Sequence, residues 1–189
     1  MQIATTVLVV GAGPAGLLTA AELRRRGVDC LLIDAHERPL EWDRATVVHP
    51  RSLELFDSLG IVEPLLAAGV RQCGARIHAN GEILGEIDLD LCGSRYPYNI
   101  GISEETTEAI LADYLAAQGG AVQRATKLVG LEDTEDGMLA TLEQPDGRAR
   151  CWRNGWSAAT GTTARCASWR GSPRKGTTST SPGRFSTHA

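Results

Sequence analysis

Residues 5–35 read TTVLVVGAGPAGLLTAAELRRRGVDCLLIDA, and this stretch decides the fold. The apolar run Thr5–Val10 has the composition of a buried strand, and it ends in Gly11-Ala12-Gly13-Pro14-Ala15-Gly16. A helical stretch follows to Arg26, then Gly27, then a second apolar run that closes on Asp34. Each part has a physical task in a dinucleotide-binding βαβ unit. Gly11 lets the chain turn sharply out of the strand, Gly13 lets the backbone approach a pyrophosphate, and Gly16 lets the helix pack tightly on the sheet. The helix N-terminus then offers unpaired N–H groups and the positive end of its dipole to phosphates. Asp34, eighteen residues past Gly16, stands where a carboxylate accepts hydrogen bonds from both hydroxyls of a ribose. Gly16, Ala20 and Leu23 share one helix face, so strand, turn, helix, strand and terminal acid all fall in register.

The net charge of −4 gives no reason to expect nucleic acid or a membrane surface as partner. The N-terminal apolar stretch lacks the basic start of a signal peptide, and no run is long enough to span a bilayer. A cytoplasmic protein is expected. Five scattered cysteines (Cys30, Cys73, Cys92, Cys151, Cys166) with no CxxC spacing suit structural thiols in a reducing compartment and give no metal site. The histidines are equally dispersed, and His49 reads as a solvated loop residue. No Ser-His-Asp set and no paired-carboxylate motif is evident, which argues against hydrolytic chemistry.

After Asp34 a polar loop leads into Arg44-Ala45-Thr46-Val47-Val48-His49-Pro50-Arg51. The pattern then predicts a helix over Arg51–Leu59, with Leu55, Phe56 and Leu59 inward and Gly60 as its stop. From Arg71 to Asp90 alternation flanks Asn80-Gly81, a two-residue hairpin signal. A Tyr96-Pro97-Tyr98 connection precedes a helix capped by Ser103, with Glu104 and Glu105 in its first turn. Thr107, Ile110, Leu111, Tyr114 and Leu115 carry its apolar spacing, and Gly119-Gly120 ends it. Strands at about 127–132 and 138–143 form a further hairpin, and Asp146-Gly147 marks the next turn.

Composition breaks near residue 150. The first 150 residues hold all 23 acidic and 13 of the 19 basic residues, while the last 39 hold six basic residues and no acid. Those 39 contain no Ile, Leu, Val or Met, yet three of the four tryptophans. Taken literally, residues 151–189 form a disordered basic tail that cannot supply a buried parallel strand. The genetic code offers a sharper reading, an out-of-frame tail. When the third base of each codon from Cys151 to Gly171 is joined to the first two bases of the next, the hidden frame can read LAERVVGCDGNHSTVRELAG. Leu is forced by Cys-Trp, and the other letters are permitted by suitable third bases.

The order GAGPAG, an acid ending the second strand, R-A-x-x-V-x-P-R-S-L-E, a hairpin, Y-P-Y and a helix with T-E-x-x-L resembles the flavoprotein aromatic hydroxylases related to p-hydroxybenzoate hydroxylase. The polyketide and phenol hydroxylases are the most similar branch. The likeness covers residues 3 to about 150, and the hidden-frame GCDGxxSxVR is similar to that family's second flavin motif. The resemblance implies a partial Rossmann-like α/β FAD-binding fold over residues 1–150, with residues 71–99 as an inserted substrate-side sheet. It implies that Gly11, Ala12, Gly13, Pro14, Ala15 and Gly16 form the pyrophosphate loop. Asp34 takes the adenosine-ribose acid, and Arg44 reaches the flavin near its pyrophosphate. Arg51 and Glu54 match positions expected to be structural. The chain departs from the family at Glu104, where a cofactor-contacting Gln is expected and a carboxylate would be repelled by phosphates; helix N-terminal charge is its other reading.

The activity so implied is that of a single-component FAD monooxygenase, using NAD(P)H and O2 to hydroxylate a phenolic small molecule. Its lineage is enzymatic, while the 189-residue chain itself is expected to be a truncated, inactive form. An NAD-dependent dehydrogenase is the enzymatic alternative, since Asp34 suits NAD ribose equally well. A nonenzymatic nucleotide-binding remnant is the other.

Overall fold

The computed structural model describes residues 2–39, 46–134, 137–153 and 155–158. Strand β1 (Gln2–Ala4) is followed by β2 (Val7–Val10), helix α1 (Pro14–Arg25), β3 (Cys30–Ile33) and β4 (Val47–Val48). Helices α2 (Pro50–Ser58) and α3 (Val62–Ala68) come next, then β5 (Val70–Gln72), β6 (Gly74–Ala79), β7 (Glu82–Asp88) and β8 (Asn99–Gly101). Helix α4 (Glu104–Ala117) leads to β9 (Val122–Gln123), β10 (Lys127–Thr134), β11 (Gly137–Gln144), β12 (Gly147–Arg153) and β13 (Gly155–Ala158).

A parallel sheet in the order β13-β2-β3-β9 lies at the centre. Because side chains alternate along a strand, each of β2 and β3 feeds two different cores. Val7 and Val9, with Cys30 and Leu32, face α1 and α4 and join Leu17, Ala20, Ala21, Leu111 and Leu115. Leu8 and Val10, with Leu31 and Ile33, face the opposite way and pack on Ala140, Leu142, Ala149 and Cys151 of the β10–β11–β12 meander. The result is three layers: helices, parallel sheet, antiparallel sheet.

The chain reaches the second layer twice. It starts there, β1 pairing in parallel with β12, and switches sheets at Thr5-Thr6. The apolar run Thr5–Val10 is therefore not a single strand: β2 begins at Val7, with the Thr5 hydroxyl donating to the Val7 carbonyl at 3.3 Å.

The helix over residues 50–58 buries Leu53 and Phe56, while Leu55 is 46% exposed. Leu55 therefore does not face inward as the spacing suggested. Gly60 does follow as a stop, at φ +75°. Helix α3 was not expected from the sequence pattern; its Pro64 stands in the first turn, where no intrahelical N–H is required. Asn80 (φ 53°) and Gly81 (φ 84°) turn the β6–β7 hairpin as predicted. Across it Arg76 pairs with Glu86 at 2.7 Å, and Ile77 and Ile87 remain exposed. Ser103 caps α4 by accepting from the Thr106 N–H at 3.1 Å.

One correction concerns the tail. Strand β12 runs to Arg153, and β13 pairs in parallel with β2, from Gly155 opposite Val7 to Ala158 opposite Val10. A parallel strand thus does form after Arg150, contrary to the expectation from composition; backbone hydrogen bonding to β2 requires no particular side chain. The rest of the expected tail, 159–189, lies outside the described residues.

A polar contact ties helices α1 and α4 at their interface. The Tyr114 hydroxyl donates to Glu22 Oε1 at 2.9 Å, and Glu22 also accepts from Arg25 and Arg26. The Arg25 hydrogen bond is the largest influence on Glu22. Burial opposes it, Tyr114 and Arg26 add to it, and the carboxyl is lowered to about 2. A lowered carboxyl stabilises the fold above its ordinary pKa and loses that contribution as pH falls toward 2. Tyr114→Phe is expected to cost about 1 kcal/mol near neutrality, the scale of one hydrogen bond to a charged acceptor that keeps its other partners. Denaturant melts of both proteins should show this difference shrinking between pH 5 and pH 2; a difference independent of pH would show that the hydroxyl does not act through Glu22.

Candidate functional site

The C-terminal ends of β2 and β3 meet the N-terminus of α1, and the candidate site is built there. Gly11 leaves β2 at φ +98°, a conformation that side chains disfavour, and its N–H donates to the Ile33 carbonyl at 2.8 Å. Ala12 is buried, and its N–H donates to Asp34 Oδ2 at 2.7 Å. Gly13 caps α1 with no side-chain hydrogen bond, Pro14 takes a first-turn position, and that turn carries no acid. The first intrahelical bond runs from the Leu17 N–H to the Gly13 carbonyl at 3.0 Å. The amides of Ala15 and Gly16 therefore have no intrahelical acceptor and stand at the positive end of the helix dipole. Gly16 itself is buried in the helix, as tight packing requires.

Gly13 tests whether these residues fit a bound dinucleotide. Its φ of −74° suits any residue, and a Cβ there would meet only Glu108 Oε1, at 3.6 Å, an ordinary contact. Nothing in the surrounding protein requires glycine at this position. A phosphate lying against the bare Cα would, and the uncapped amides beside it could supply its donors.

Asp34 is held on every side. Its side chain is 12% exposed. Oδ2 binds the Ala12 amide, and Oδ1 accepts from the His36 amide at 2.8 Å and lies 3.0 Å from His36 Nδ1. Arg124 Nη1 lies 3.9 Å from Oδ1. Burial pushes the carboxyl up, but the Ala12 and His36 amides, the His36 ring and Arg124 outweigh it and hold Asp34 below the ordinary carboxylate range. Asp34 is thus an ionised acceptor that also pins the glycine loop. That second role was not visible in the sequence.

Arg124 was not singled out from sequence either. It is placed by the turn between β9 and β10, where Ala125 adopts φ +50° and donates to the His36 carbonyl at 3.1 Å. The Thr126 N–H adds a bond to the Asp34 carbonyl at 2.8 Å. Arginine in a strand-end turn carries no sequence signal; only tertiary pairing of residues 34–36 with residues 123–126 brings it to the site.

The other expected residues separate into distinct groups. Arg44 lies outside the described residues. Arg51 pairs with Glu54 at 2.7 Å, and Glu54 also accepts from the Ser94 hydroxyl at 2.7 Å, a structural arrangement. His49 Nδ1 lies 3.0 Å from Asn99 Oδ1 on the exposed side of the small β4–β8–β5 sheet. Glu104 is the first residue of α4, and one turn later Glu108 is the carboxyl that faces Gly13.

A parallel sheet whose first crossover opens on such a loop, with an acid closing the next strand, defines a dinucleotide-binding α/β protein. Comparison with known proteins narrows this. The chain belongs to the family described as FAD binding domain, whose model matches residues 4–184. It is 32% identical over 136 residues to the rifampicin monooxygenase of Rhodococcus hoagii, covering 72% of this chain and 28% of that protein. It is 33% identical over 143 residues to the pentachlorophenol 4-monooxygenase of Sphingobium chlorophenolicum, covering 75% and 27%. The chain thus spans little more than a quarter of the length of these curated relatives. Among solved structures, an anhydrotetracycline hydroxylase from Streptomyces rimosus superposes with a TM-score of 0.75 at 27% identity, over 82% of this chain and 31% of that one. A p-nitrophenol 4-monooxygenase from Pseudomonas putida shares the fold, with a TM-score of 0.79 at 22% identity over 87% and 43%.

Proposed function

We propose that this chain is the nucleotide-binding part of a single-component FAD monooxygenase that hydroxylates an aromatic or phenolic small molecule with NAD(P)H and O2. The observation that carries the reading is the uncapped N-terminus of α1 behind Gly13, with the ionised Asp34 fixed one loop-width away. In this reading the amides of Gly13, Ala15 and Gly16 hold the FAD pyrophosphate, and Pro14 presets the first turn. Asp34 accepts from the adenosine ribose while Ala12 keeps it in place, and Arg44 stands beside the flavin end of the pyrophosphate. Bound FAD supplies the redox chemistry with O2, which no side chain of the chain provides. A cytoplasmic location and the absence of membrane and nucleic-acid partners belong to the same proposal. Among the described residues no helix is long and apolar enough to cross a membrane.

The domain reading is part of the proposal. Residues 1–150 are the in-frame part of the FAD-binding domain, residues 71–99 are a substrate-side insertion, and residues 151–189 are translated out of frame. Support is positional. β13 places Gly155-Trp156-Ser157-Ala158 alongside β2, where the alternate frame can read Val-Val-Gly-Cys with suitable third bases. A β-branched pair has a higher strand propensity than the printed residues.

Binding of FAD against NAD+ tests the cofactor. Equilibrium titration of the purified chain is expected to show FAD binding more tightly than NAD+, with quenching or enhancement of flavin fluorescence. Preference for NAD+ would favour the dehydrogenase alternative and overturn the flavin reading.

A further inference from the structure

We propose that Glu108 is a further cofactor-binding residue of this site, meeting the pyrophosphate side of the Gly11–Gly16 loop as a neutral carboxylic acid, so that FAD binding takes up one proton. The inference rests on the dinucleotide reading of that loop.

Helix α4 lies against α1 through the buried residues Thr107, Leu111, Tyr114 and Leu115. Glu108, beside Thr107, is thereby held over Gly13, with Oε1 at 3.6 Å from where a Cβ would stand. It is half-buried, and among the described residues it accepts no hydrogen bond. Asp34 sits at the neighbouring residue of the loop, bound to the Ala12 amide, so carboxyls stand at both Ala12 and Gly13.

The charges facing Glu108 come from three elements. Glu104 lies one turn earlier on its own helix, Asp34 at the end of β3, and Arg124 on the β9–β10 turn. The loop and first turn of α1, residues 11–17, carry no titratable side chain. Arg124 is the one cation in the set, and it already lies beside Asp34. Burial first, then Glu104, push the Glu108 carboxyl up; Arg124 opposes them, and Asp34 adds to the rise.

A pyrophosphate diester brings two more negative charges to the same loop. Next to an ionised Glu108 they repel; next to the protonated acid they gain an O–H donor. The proton comes from solvent, no bond in the cofactor is made or broken, and the acid simply stays protonated to higher pH in the complex. Linkage then fixes the sign. Affinity is constant below the Glu108 pKa of the free protein. It falls by up to about tenfold per pH unit above that pKa, and levels off above the pKa of the complex.

The test is calorimetric titration of the full chain with FAD from pH 5 to pH 8.5, in buffers of different ionisation enthalpy so that proton uptake is counted. FAD is the suitable probe because its pyrophosphate does not titrate in this range. The wild-type chain is expected to take up a proton and to lose affinity as pH rises. Glu108→Gln keeps a donor without the charge. It is expected to take up none, to bind independently of pH, and to exceed wild type by about tenfold or more at pH 8. Glu108→Ala lacks the donor and should also be pH-independent, but weaker than Glu108→Gln. Circular dichroism of each variant checks that α4 is intact. Equal proton uptake in wild type and Glu108→Gln would overturn the proposal while leaving the nucleotide site standing. No FAD binding at any pH by wild type or either variant would bring down both.

Discussion

Translation of the alternate frame from codon 151 onward is expected to yield a soluble yellow protein that keeps FAD through gel filtration. The 189-residue chain is expected to bind FAD reversibly but to lose it there, and to be more prone to aggregation at high concentration. The reason lies in the central sheet. β2 and β3 are parallel strands buried on both faces, with Leu8, Val9 and Ile33 at 0% exposure. β13 is the outer neighbour of β2 and closes that side of the sheet. In the printed sequence this strand is Gly-Trp-Ser-Ala, with no β-branched residue, preceded by a second tryptophan and followed by a run without Ile, Leu or Val. Its backbone completes the hydrogen-bond ladder, but its sequence has low strand propensity, and opening of such a strand exposes the edge of β2. With suitable third bases the alternate frame can read Val-Val-Gly-Cys over these positions and continue into Asp-Gly. Sequencing the DNA through codons 145–172 is the first check, since third bases that forbid this frame would end the proposal. A stable yellow holoprotein of 189 residues that oxidises NAD(P)H would end it equally.

Asp34→Ala in the frame-restored protein should weaken FAD binding by roughly 1.5–3 kcal/mol, the range of hydrogen bonds to a charged group. That corresponds to about 10- to 150-fold in Kd. Two losses combine here. The ribose hydroxyls lose a carboxylate acceptor, and the glycine loop loses the 2.7 Å bond from the Ala12 amide. Asp34→Asn separates them, because an amide oxygen can keep the Ala12 bond while the charge is gone. The stability of the free protein carries the same signature. Asp34 is lowered by its partners, so its contribution is present above the ordinary Asp pKa and is lost as pH falls below it. Apo-protein melts of wild type and Asp34→Ala should therefore converge in acid. Unchanged FAD affinity in Asp34→Ala would show that the ribose is held elsewhere.

The sequence by itself determined the βαβ unit, because its signals are local. Gly11 needs a left-handed turn, Pro14 a first-turn position and Asp34 a strand end, and each is satisfied within thirty residues. The Asn80-Gly81 hairpin and the Ser103 cap were legible for the same reason: turn and cap chemistry involve neighbours a few residues away. Tertiary structure decided what distant segments do to one another. It sent residues 2–4 to the second sheet, where β12 offered an edge, and turned Leu55 outward. Composition alone denied a strand to residues 155–158, yet the open side of β2 draws them into one through backbone bonds. At the site, Asp34 became a clamp on Ala12, Arg124 arrived from ninety residues away on a strained turn, and Glu108 came to face Gly13 across the α1–α4 interface. Periodicity places a residue on a helix face, but which loop that face looks onto is set by how two helices pack.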